Sequence, residues 1–267
     1  MGGQRFKILY IIKQACNFSR LMVMAGKLLL RLKGGYHAEP KYLEWLKDNS
    51  LDLNLFLEEI DGPLWNESKK TQEKIEVAAA ELLPTIGCDL GGGGCYPLLY
   101  FVVRKMFPSV IVETGVGAGF STYAILLAIE QNNKGNLYSS DFPYFRLKNP
   151  EQYIGYIVPD RLKENWKLYV EGDKNNLPLI ISEIGGIDLL HYDSDKSYDG
   201  REWAMNILNE KLSKSSIVIM DDIQDNNFFY DYITCHDISD WKIFFFEGKY
   251  IGLINADCLY GCNSNGV

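Results

Sequence analysis

The pattern of apolar and polar positions changes in character along the chain. Before residue 110, apolar residues recur with helical spacing, which predicts helices at 1–33, 40–49, 53–59, 68–83 and 96–106. After residue 110, short apolar runs alternate with helical segments at 121–130 and 201–211. This change predicts an N-terminal helical extension over 1–85 and an α/β domain over 86–267.

The apolar runs of the second part predict a mostly parallel sheet. They lie at 110–113, 136–141, 166–171, 187–193 and 216–221. Because helices separate several of these strands, we expect a Rossmann-like sheet with helices on both faces. The last two runs, 241–246 and 250–254, are joined by only three residues. So short a link holds no crossover helix, so these strands should form an antiparallel hairpin.

Composition and charge exclude several classes of protein. The chain has 267 residues, of which 47% are hydrophobic and 23% charged, as in ordinary globular proteins. Its net charge of −8 argues against nucleic acid as the main partner. The six cysteines form no CxxC pair, which favours reduced thiols in a cytoplasmic protein. No apolar run reaches the roughly 18–20 residues that span a bilayer, and no secretion signal is expected.

The charge is unevenly distributed. Residues 1–37 contain seven Lys or Arg and no acid, which leaves 20 basic and 35 acidic residues for the remainder. A basic amphipathic helix over 1–33 could lie on anionic lipid as a peripheral membrane contact. It could equally pack on the main domain, or on a second subunit in a homo-oligomer.

A glycine-rich loop follows the first strand of the α/β domain. Gly115, Gly117 and Gly119 form a GxGxG pattern, and Glu113 precedes it. Such a loop lets backbone N–H groups approach a ligand at a helix N-terminus. The carboxylate of Glu113 would repel a pyrophosphate, so it favours a ligand with an ammonium group and no phosphate, such as S-adenosylmethionine (AdoMet). A tight strand–helix turn without a ligand would also fit the pattern on its own.

Acids close the following strands. Asp141 ends the second strand, where it can accept hydrogen bonds from ribose hydroxyls. Asp173 follows the third strand, within reach of an adenine amino group. The predicted AdoMet site contains Glu113, Gly115, Gly117, Gly119, Ser121, Asp141, Asp173 and Asp193. A run of four glycines at 91–94 lacks the Lys-Ser/Thr of a P-loop, and we interpret it as a hinge near the active-site mouth.

Three aspartates suggest a cation site beside this loop. Asp193 follows the fourth strand, and Asp221 and Asp222 follow the fifth. Neighbouring strands lie about 5 Å apart, so the carboxylates would converge, and a divalent cation would relieve their repulsion. An all-oxygen set favours Mg²⁺, Mn²⁺ or Ca²⁺ over zinc. Such a cation would lower the pKa of a substrate hydroxyl. Alternatively, Asp195 and Asp222 cap loops and no metal binds.

Together these motifs resemble the class I AdoMet-dependent methyltransferases, within them the metal-dependent sugar and macrolide O-methyltransferases. The similar segments are GVGAGFST at 115–122, DSDKSY at 193–198 and VIMDDI at 218–223, and the resemblance covers roughly 85–255. It implies a seven-stranded sheet with the last strand antiparallel, and metal bound by Asp193, Asp221 and Asp222. Asp195 matches a position proposed as a general base. Lys196 stands where relatives often carry histidine, and a lysine accepts protons only with a strongly lowered pKa.

The leading hypothesis is O-methylation, assisted by Mg²⁺ or another divalent cation, with Asp195 and Lys196 as candidate catalytic residues. The acceptor would be a hydroxyl of a small glycosyl or secondary-metabolite molecule, including a lipid-linked one. A metal-independent N-methyltransferase and a non-catalytic AdoMet-fold protein remain as alternatives. The GxGxG spacing and Glu113 disfavour an NAD-dependent oxidoreductase.

Overall fold

The computed structural model describes residues 10–13, 15–16, 20–21, 24–25, 38–86, 88–145 and 147–260. Most of the helix predicted at 1–33 lies outside these residues. Among the residues described, no helix has both the length and the apolar character needed to cross a membrane.

An eight-stranded sheet forms the centre of the structure. Its strands are β1 (Ser50–Leu51), β2 (Val110–Thr114), β3 (Asn136–Ser140), β4 (Trp166–Tyr169), β5 (Ile187–Tyr192), β6 (Leu212–Met220), β7 (Trp241–Phe246) and β8 (Lys249–Ile254). The spatial order is β1-β7-β8-β6-β5-β2-β3-β4. β8 runs antiparallel to β6 and β7, and the other pairs are parallel. The Rossmann-like fold and its terminal hairpin are therefore confirmed, and the two-residue β1 adds an eighth strand.

Seven α-helices surround the sheet in the part of the chain described from residue 38 onwards. They are α1 (Pro40–Asn49), α2 (Leu53–Leu82), α3 (Tyr96–Met106), α4 (Phe120–Asn132), α5 (Asp173–Glu183), α6 (Tyr198–Leu208) and α7 (Phe228–Cys235). The helices predicted at 40–49 and 96–106 are confirmed with the same bounds.

The helices predicted at 53–59 and 68–83 form one helical stretch, α2, with a kink. The backbone leaves the helix only at Asp61, where φ is −163° and ψ is 83°. The Asp61 carboxylate accepts a hydrogen bond from the Leu64 N–H at 3.1 Å, so it caps the second part. Pro63 is tolerated because the first turn of a helix leaves its N–H groups unpaired.

The core lies in two apolar layers, one on each face of the sheet. Successive residues of β5 alternate between them, with Leu189 in one layer and Leu190 in the other. Helix α2 packs into the first layer, and α1 packs into the second. Both helices that precede residue 85 thus share their cores with the sheet.

One described residue of the basic N-terminal segment contacts the α/β part of the molecule. Arg20 pairs with Glu151 at 2.6 Å and with Glu171 at 2.7 Å. Glu171 follows β4 and leads to Asp173. At this position the segment packs on the protein.

Candidate active site

The glycine loop joins β2 to α4 in a conformation that favours glycine. Gly115 has φ of +81° and Gly119 has φ of +104°, both in the left-handed region. A Cβ atom on Gly115 would lie 2.5 Å from the carbonyl oxygen of Asp193, and one on Gly119 would lie 2.8 Å from Cα of Gly155. The backbones that follow β3 and β5 therefore approach the loop closely.

Gly117 lies between two other segments. Its carbonyl accepts a hydrogen bond from the Gly155 N–H at 3.0 Å. A Cβ atom on Gly117 would lie 3.0 Å from the carbonyl oxygen of Leu90, to which the Tyr144 hydroxyl donates a hydrogen bond. The segment before the glycine run thus packs against the loop.

Glu113 lies fully buried behind the loop. Its carboxylate accepts hydrogen bonds from the hydroxyls of Ser121 at 2.6 Å, Thr122 at 2.7 Å and Ser139 at 2.7 Å. Nδ1 of His191 lies 3.6 Å from the same carboxylate. These contacts tie β2, β3, β5 and the start of α4 together. The predicted contacts of Glu113 and Ser121 with AdoMet stay predictions.

Asp141 directly follows β3, as predicted, whereas Asp173 is the first residue of α5, after the turn that follows β4. The Asp141 carboxylate accepts hydrogen bonds from two backbone N–H groups of the glycine loop, at 3.1 and 2.8 Å. The Asp173 carboxylate accepts one from Ser140 at 2.6 Å and one from Ser194 at 2.5 Å. Both acids therefore border the loop from the side where a nucleoside is predicted to lie.

Two of the three predicted metal ligands meet beside the loop, together with a histidine. One candidate ligand atom from each of His191, Asp193 and Asp221 lies within 4.8 Å of the others. Nε2 of His191 is 3.0 Å from Oδ2 of Asp221. Oδ1 of Asp221 is buried, and none of the described residues forms a hydrogen bond with it. The structure thus brings two carboxylates and one imidazole together beside the loop.

Asp222, the third predicted ligand, is paired with lysines. The Lys196 ammonium contacts the Asp222 carboxylate and lies 2.9 Å from Oδ1 of Asp193. The Lys249 ammonium is 3.4 Å from Asp222. Lys196 therefore bridges two of the three predicted ligands, and the role of Asp222 in metal binding stays a prediction.

The charges of this cluster depend on one another. Burial raises the pKa of Asp193 to about 6, and the nearby Asp221 adds to this, while Lys196 opposes it. Burial alone would lower the pKa of His191, but Asp221 and Glu113 outweigh it and raise the pKa to about 10. Burial also disfavours the Lys196 ammonium, yet its carboxylate partners hold its pKa above the usual range. The site thus contains resident cations that neutralise its acids.

Asp195 takes a different position from the other acids. Its carboxylate accepts hydrogen bonds from the Ser197 N–H at 3.0 Å and the Ser197 hydroxyl at 2.8 Å. A Cβ atom on Gly200 would lie 2.3 Å from Cγ of Asp195. The side chain packs against the first turn of α6, as the loop-capping alternative expected, and its catalytic role stays a prediction.

A comparison with protein families finds one similarity. Residues 112–223 match a family model described as a methyltransferase domain. Over these residues the chain is similar to a methyltransferase domain. The match covers the glycine loop, Asp141, Asp173 and the three aspartates of the predicted cation site. No curated protein matches the chain.

Solved structures of other methyltransferases have a similar fold. TomG, an O-methyltransferase from Streptomyces achromogenes in complex with SAM, is 14% identical, with a TM-score of 0.50 over 68% of this chain and 88% of TomG. An O-methyltransferase from Bacillus cereus in complex with SAH is 11% identical, with a TM-score of 0.49 over 78% and 99%. The TDP-rhamnose 3'-O-methyltransferase CalS11 is 18% identical, with a TM-score of 0.46 over 61% and 79%. At such identities the likeness to TomG concerns the fold alone.

The candidate site contains two residues that the sequence did not indicate. The buried Arg201 guanidinium donates hydrogen bonds to the backbone carbonyls of Asp221 at 2.9 Å and Asp222 at 2.8 Å, which fixes the turn after β6. Lys249 reaches Asp222 from the start of β8. Both are single charged residues in ordinary helix or hairpin sequence, so no local pattern marks them.

The glycine run has a defined position beside the candidate site. A Cβ atom on Gly94 would lie 1.4 Å from Oδ2 of Asp221, and one on Gly93 would lie 2.4 Å from Cβ of Phe120. Gly92 has no atom within 4 Å of the corresponding position. The end of the run therefore packs directly on the acidic cluster, near the active-site mouth that the sequence suggested.

Proposed function

We propose that this methyltransferase transfers the AdoMet methyl group to a hydroxyl of a small glycosyl or secondary-metabolite acceptor, with help from a divalent cation. The observation that carries the proposal is the position of the acids. Asp193 and Asp221 follow the adjacent strands β5 and β6, and the Asp193 backbone lies against Gly115 of the glycine loop. An acceptor hydroxyl held by these acids would lie beside the donor.

The glycine loop and the acids around it would bind AdoMet. Gly115, Gly117 and Gly119 allow the close approach of the cofactor to the backbone. Asp141 and Asp173 are carboxylate acceptors that follow β3 and β4, where ribose hydroxyls and an adenine amino group would fit. Glu113 and Ser121 would act by holding the loop in shape.

The cation site rests on the chemistry of its donor set. Oδ1 of Asp221 is buried and finds no hydrogen-bond partner in the part of the chain that the structure describes, and hard divalent cations prefer carboxylate oxygens. Asp193 and Asp221, joined by Asp222, would hold Mg²⁺ or a similar ion. Such an ion, when bound, supplies positive charge that lowers the pKa of the acceptor hydroxyl.

The reaction requires alignment of the acceptor oxygen with the methyl group and removal of one proton from the acceptor hydroxyl. The acceptor oxygen forms a bond to the methyl carbon, the carbon–sulfur bond breaks, and S-adenosylhomocysteine leaves. Holding oxygen, carbon and sulfur in line supplies most of the rate enhancement available to such a site. Asp195 and Lys196 are the candidates to accept or orient the hydroxyl proton. Lys196 is paired with Asp193 and Asp222, which raise its pKa, so it would have to lose its own proton before it could accept another.

Calorimetry with AdoMet tests the donor site. Gly117→Val introduces a branched side chain at φ of +56°, next to the Leu90 carbonyl, and Glu113→Ala removes the acceptor of three hydroxyls. We expect each to weaken AdoMet binding at least about tenfold, or roughly 1.4 kcal/mol. Gly185→Ala, where nothing lies within 4 Å, is the matched control. Unchanged affinity in both site variants would remove the assignment.

Two measurements test the cation site: manganese binding followed by electron paramagnetic resonance, which needs no acceptor, and methyl transfer in EDTA, which needs one. We expect wild-type protein to bind Mn²⁺, Asp221→Asn to lose this binding, and methyl transfer by wild-type protein to stop in EDTA. Full activity in EDTA would instead favour metal-independent transfer, in which the Lys196 ammonium neutralises the acids.

Further proposals concern the location, domain organisation and assembly of the enzyme. We propose a cytoplasmic protein, with 1–85 as a helical extension on the acceptor side and 86–267 as the catalytic domain. Peripheral membrane contact through 1–33 and homo-oligomerisation belong to the same proposal. Sedimentation with anionic vesicles, and light scattering on the full chain, test these two parts separately.

A further inference from the structure

A cavity of 370 Å³ lies between the start of α2 and the ends of β1 and β7. Leu51, Trp65, Lys69, Gln72 and Phe246 are among the residues that line it. Its volume falls within the range of about 300–1,000 Å³ that is typical of small-molecule sites. None of the residues assigned above to the donor, the cation or catalysis lines it.

The cavity opens at the same edge of the sheet as the acidic cluster. Phe246 is the last residue of β7 and pairs with Lys249 across the hairpin. Paired residues have Cα atoms about 5 Å apart. The Lys249 ammonium in turn lies 3.4 Å from the Asp222 carboxylate. The cavity wall and the acidic cluster are therefore separated by little more than the length of one lysine side chain.

A second connection leads from the cavity to the donor loop. Gln72 donates a hydrogen bond to Glu76 at 2.9 Å, and the Tyr96 hydroxyl donates to the same carboxylate at 2.8 Å. The ring of Tyr96 packs on Phe120, the first residue of α4, with ring centroids 5.6 Å apart. A chain of side-chain contacts thus joins the cavity wall to the start of α4, beside the donor loop.

The lining favours a neutral ring with polar substituents. Trp65 and Phe246 provide aromatic surface, and the side-chain amides of Asn54 and Gln72 provide hydrogen-bonding groups. The Trp65 indole N–H donates to Oδ1 of Asn54 at 3.2 Å, which orients the Asn54 amide. Lys69 and Asp52 contribute one charge of each sign, and Glu58 lies 3.6 Å from Lys69. The two charges of the lining balance, so the lining favours a neutral ligand over an ion.

We propose that this cavity anchors the non-reacting end of the methyl acceptor, and that this end is an uncharged ring bearing hydroxyl groups. The inference rests on the proposed function and deepens it. Because the anchored ring lies beyond the reach of the acidic cluster, the hydroxyl that is methylated belongs to another part of the same molecule. The acceptor accordingly has at least two rings or an equivalent length. A sugar ring and a phenolic ring share the chemistry that the lining recognises.

Tryptophan substitutions at two leucines distinguish an effect on the cavity from an effect on the nearby surface. Leu51 lines the cavity and Leu55 does not, and their side chains are 44% and 69% exposed. Leu51→Trp should fill the cavity, whereas Leu55→Trp adds the same side chain outside it. Gln72→Ala removes a polar group without adding volume. Circular dichroism of each variant checks that the fold is retained.

The binding experiment uses methyl β-D-glucopyranoside, resorcinol and benzoate as probes, with S-adenosylhomocysteine present, and saturation-transfer NMR as the readout. We expect one of the two neutral rings to bind saturably, and which one binds identifies the source. Leu51→Trp should weaken that binding at least tenfold and Gln72→Ala at least threefold, while Leu55→Trp leaves it unchanged. Binding of neither ring, tighter binding of benzoate, or equal effects of both tryptophan variants would overturn the inference.

AdoMet calorimetry on the same samples keeps this inference separate from the proposed function. Wild-type protein that binds AdoMet but neither ring contradicts the cavity assignment and leaves methyl transfer standing. Wild-type protein that binds no AdoMet contradicts the proposed function itself, and with it the acceptor that the cavity is proposed to anchor.

Discussion

At the scale of single residues, Gly94 has no side chain, yet its close approach to Asp221 restricts what the site can accommodate. The position of a Cβ atom on Gly94 falls 1.4 Å from Oδ2 of Asp221, the atom that also contacts His191 at 3.0 Å. Any side chain at residue 94 must displace this carboxylate or the backbone. Asp221 is thereby held between a glycine and a buried imidazole.

Gly94→Ala is expected to lower the free energy of unfolding by about 1–3 kcal/mol, because overpacking of a close contact forces its neighbours to move. Gly92→Ala is the matched control, since nothing lies within 4 Å of its added methyl group, and it should change stability by less than about 0.5 kcal/mol. Urea unfolding followed by circular dichroism measures both. Equal stability of the two variants would show that the glycine run does not pack on Asp221 as described.

Strands and helices were predictable where local pattern decides them. The apolar runs that end in Asp193 and Asp221 placed both acids at one edge of the sheet, because parallel strands end together. The interruption predicted between the helices at 53–59 and 68–83 contains the kink at Asp61. The short length of this interruption could not be predicted. Asp61 leaves the helical conformation, but its carboxylate also caps the next helical turn at Leu64, so the helix resumes at once.

Contacts between residues of different elements could not be predicted from the sequence. Lys196 and Lys249 meet at Asp222 from the loop after β5 and from the start of β8, which lie 53 positions apart in the chain. Only the course of both backbones brings them together. The contact of Gly94 with Asp221 could not be predicted either, because the packing of α3 on the sheet decides where the glycine run ends.

The kink of α2 provides a test at the scale of one element. Asp61 caps Leu64 and also pairs with the nearly buried Lys105 at 3.1 Å. Asp61→Ala should therefore lower the free energy of unfolding by about 1–3 kcal/mol, through the lost cap and the lost partner of Lys105. Asp52→Ala removes only an exposed cap at Leu55 and should cost less, about 0.5–1 kcal/mol. Thermal unfolding in which Asp52→Ala is the more harmful change would contradict this account of the kink.

At the scale of the whole molecule, the helices before residue 85 are part of the common core. Leu46, Leu57 and Ile75 are completely buried against the two layers of the sheet. The Tyr42 hydroxyl donates a hydrogen bond to the carbonyl of Ile223 at 2.8 Å, and β1 pairs with β7. The proposed division into extension and catalytic domain thus describes positions in the chain that share one folded structure.

Two truncations test this view. A chain of residues 86–267 loses the buried side chains of α1 and α2, each of which contributes about 1.5–3 kcal/mol. Several such losses exceed the roughly 5–15 kcal/mol by which domains are stable, so we expect this fragment to show no cooperative unfolding and to bind hydrophobic dyes. A chain of residues 38–267 keeps α1 and α2 and should unfold cooperatively in urea. If the 86–267 fragment unfolds cooperatively and binds AdoMet, the extension is separable, and its helices act on the acceptor side alone.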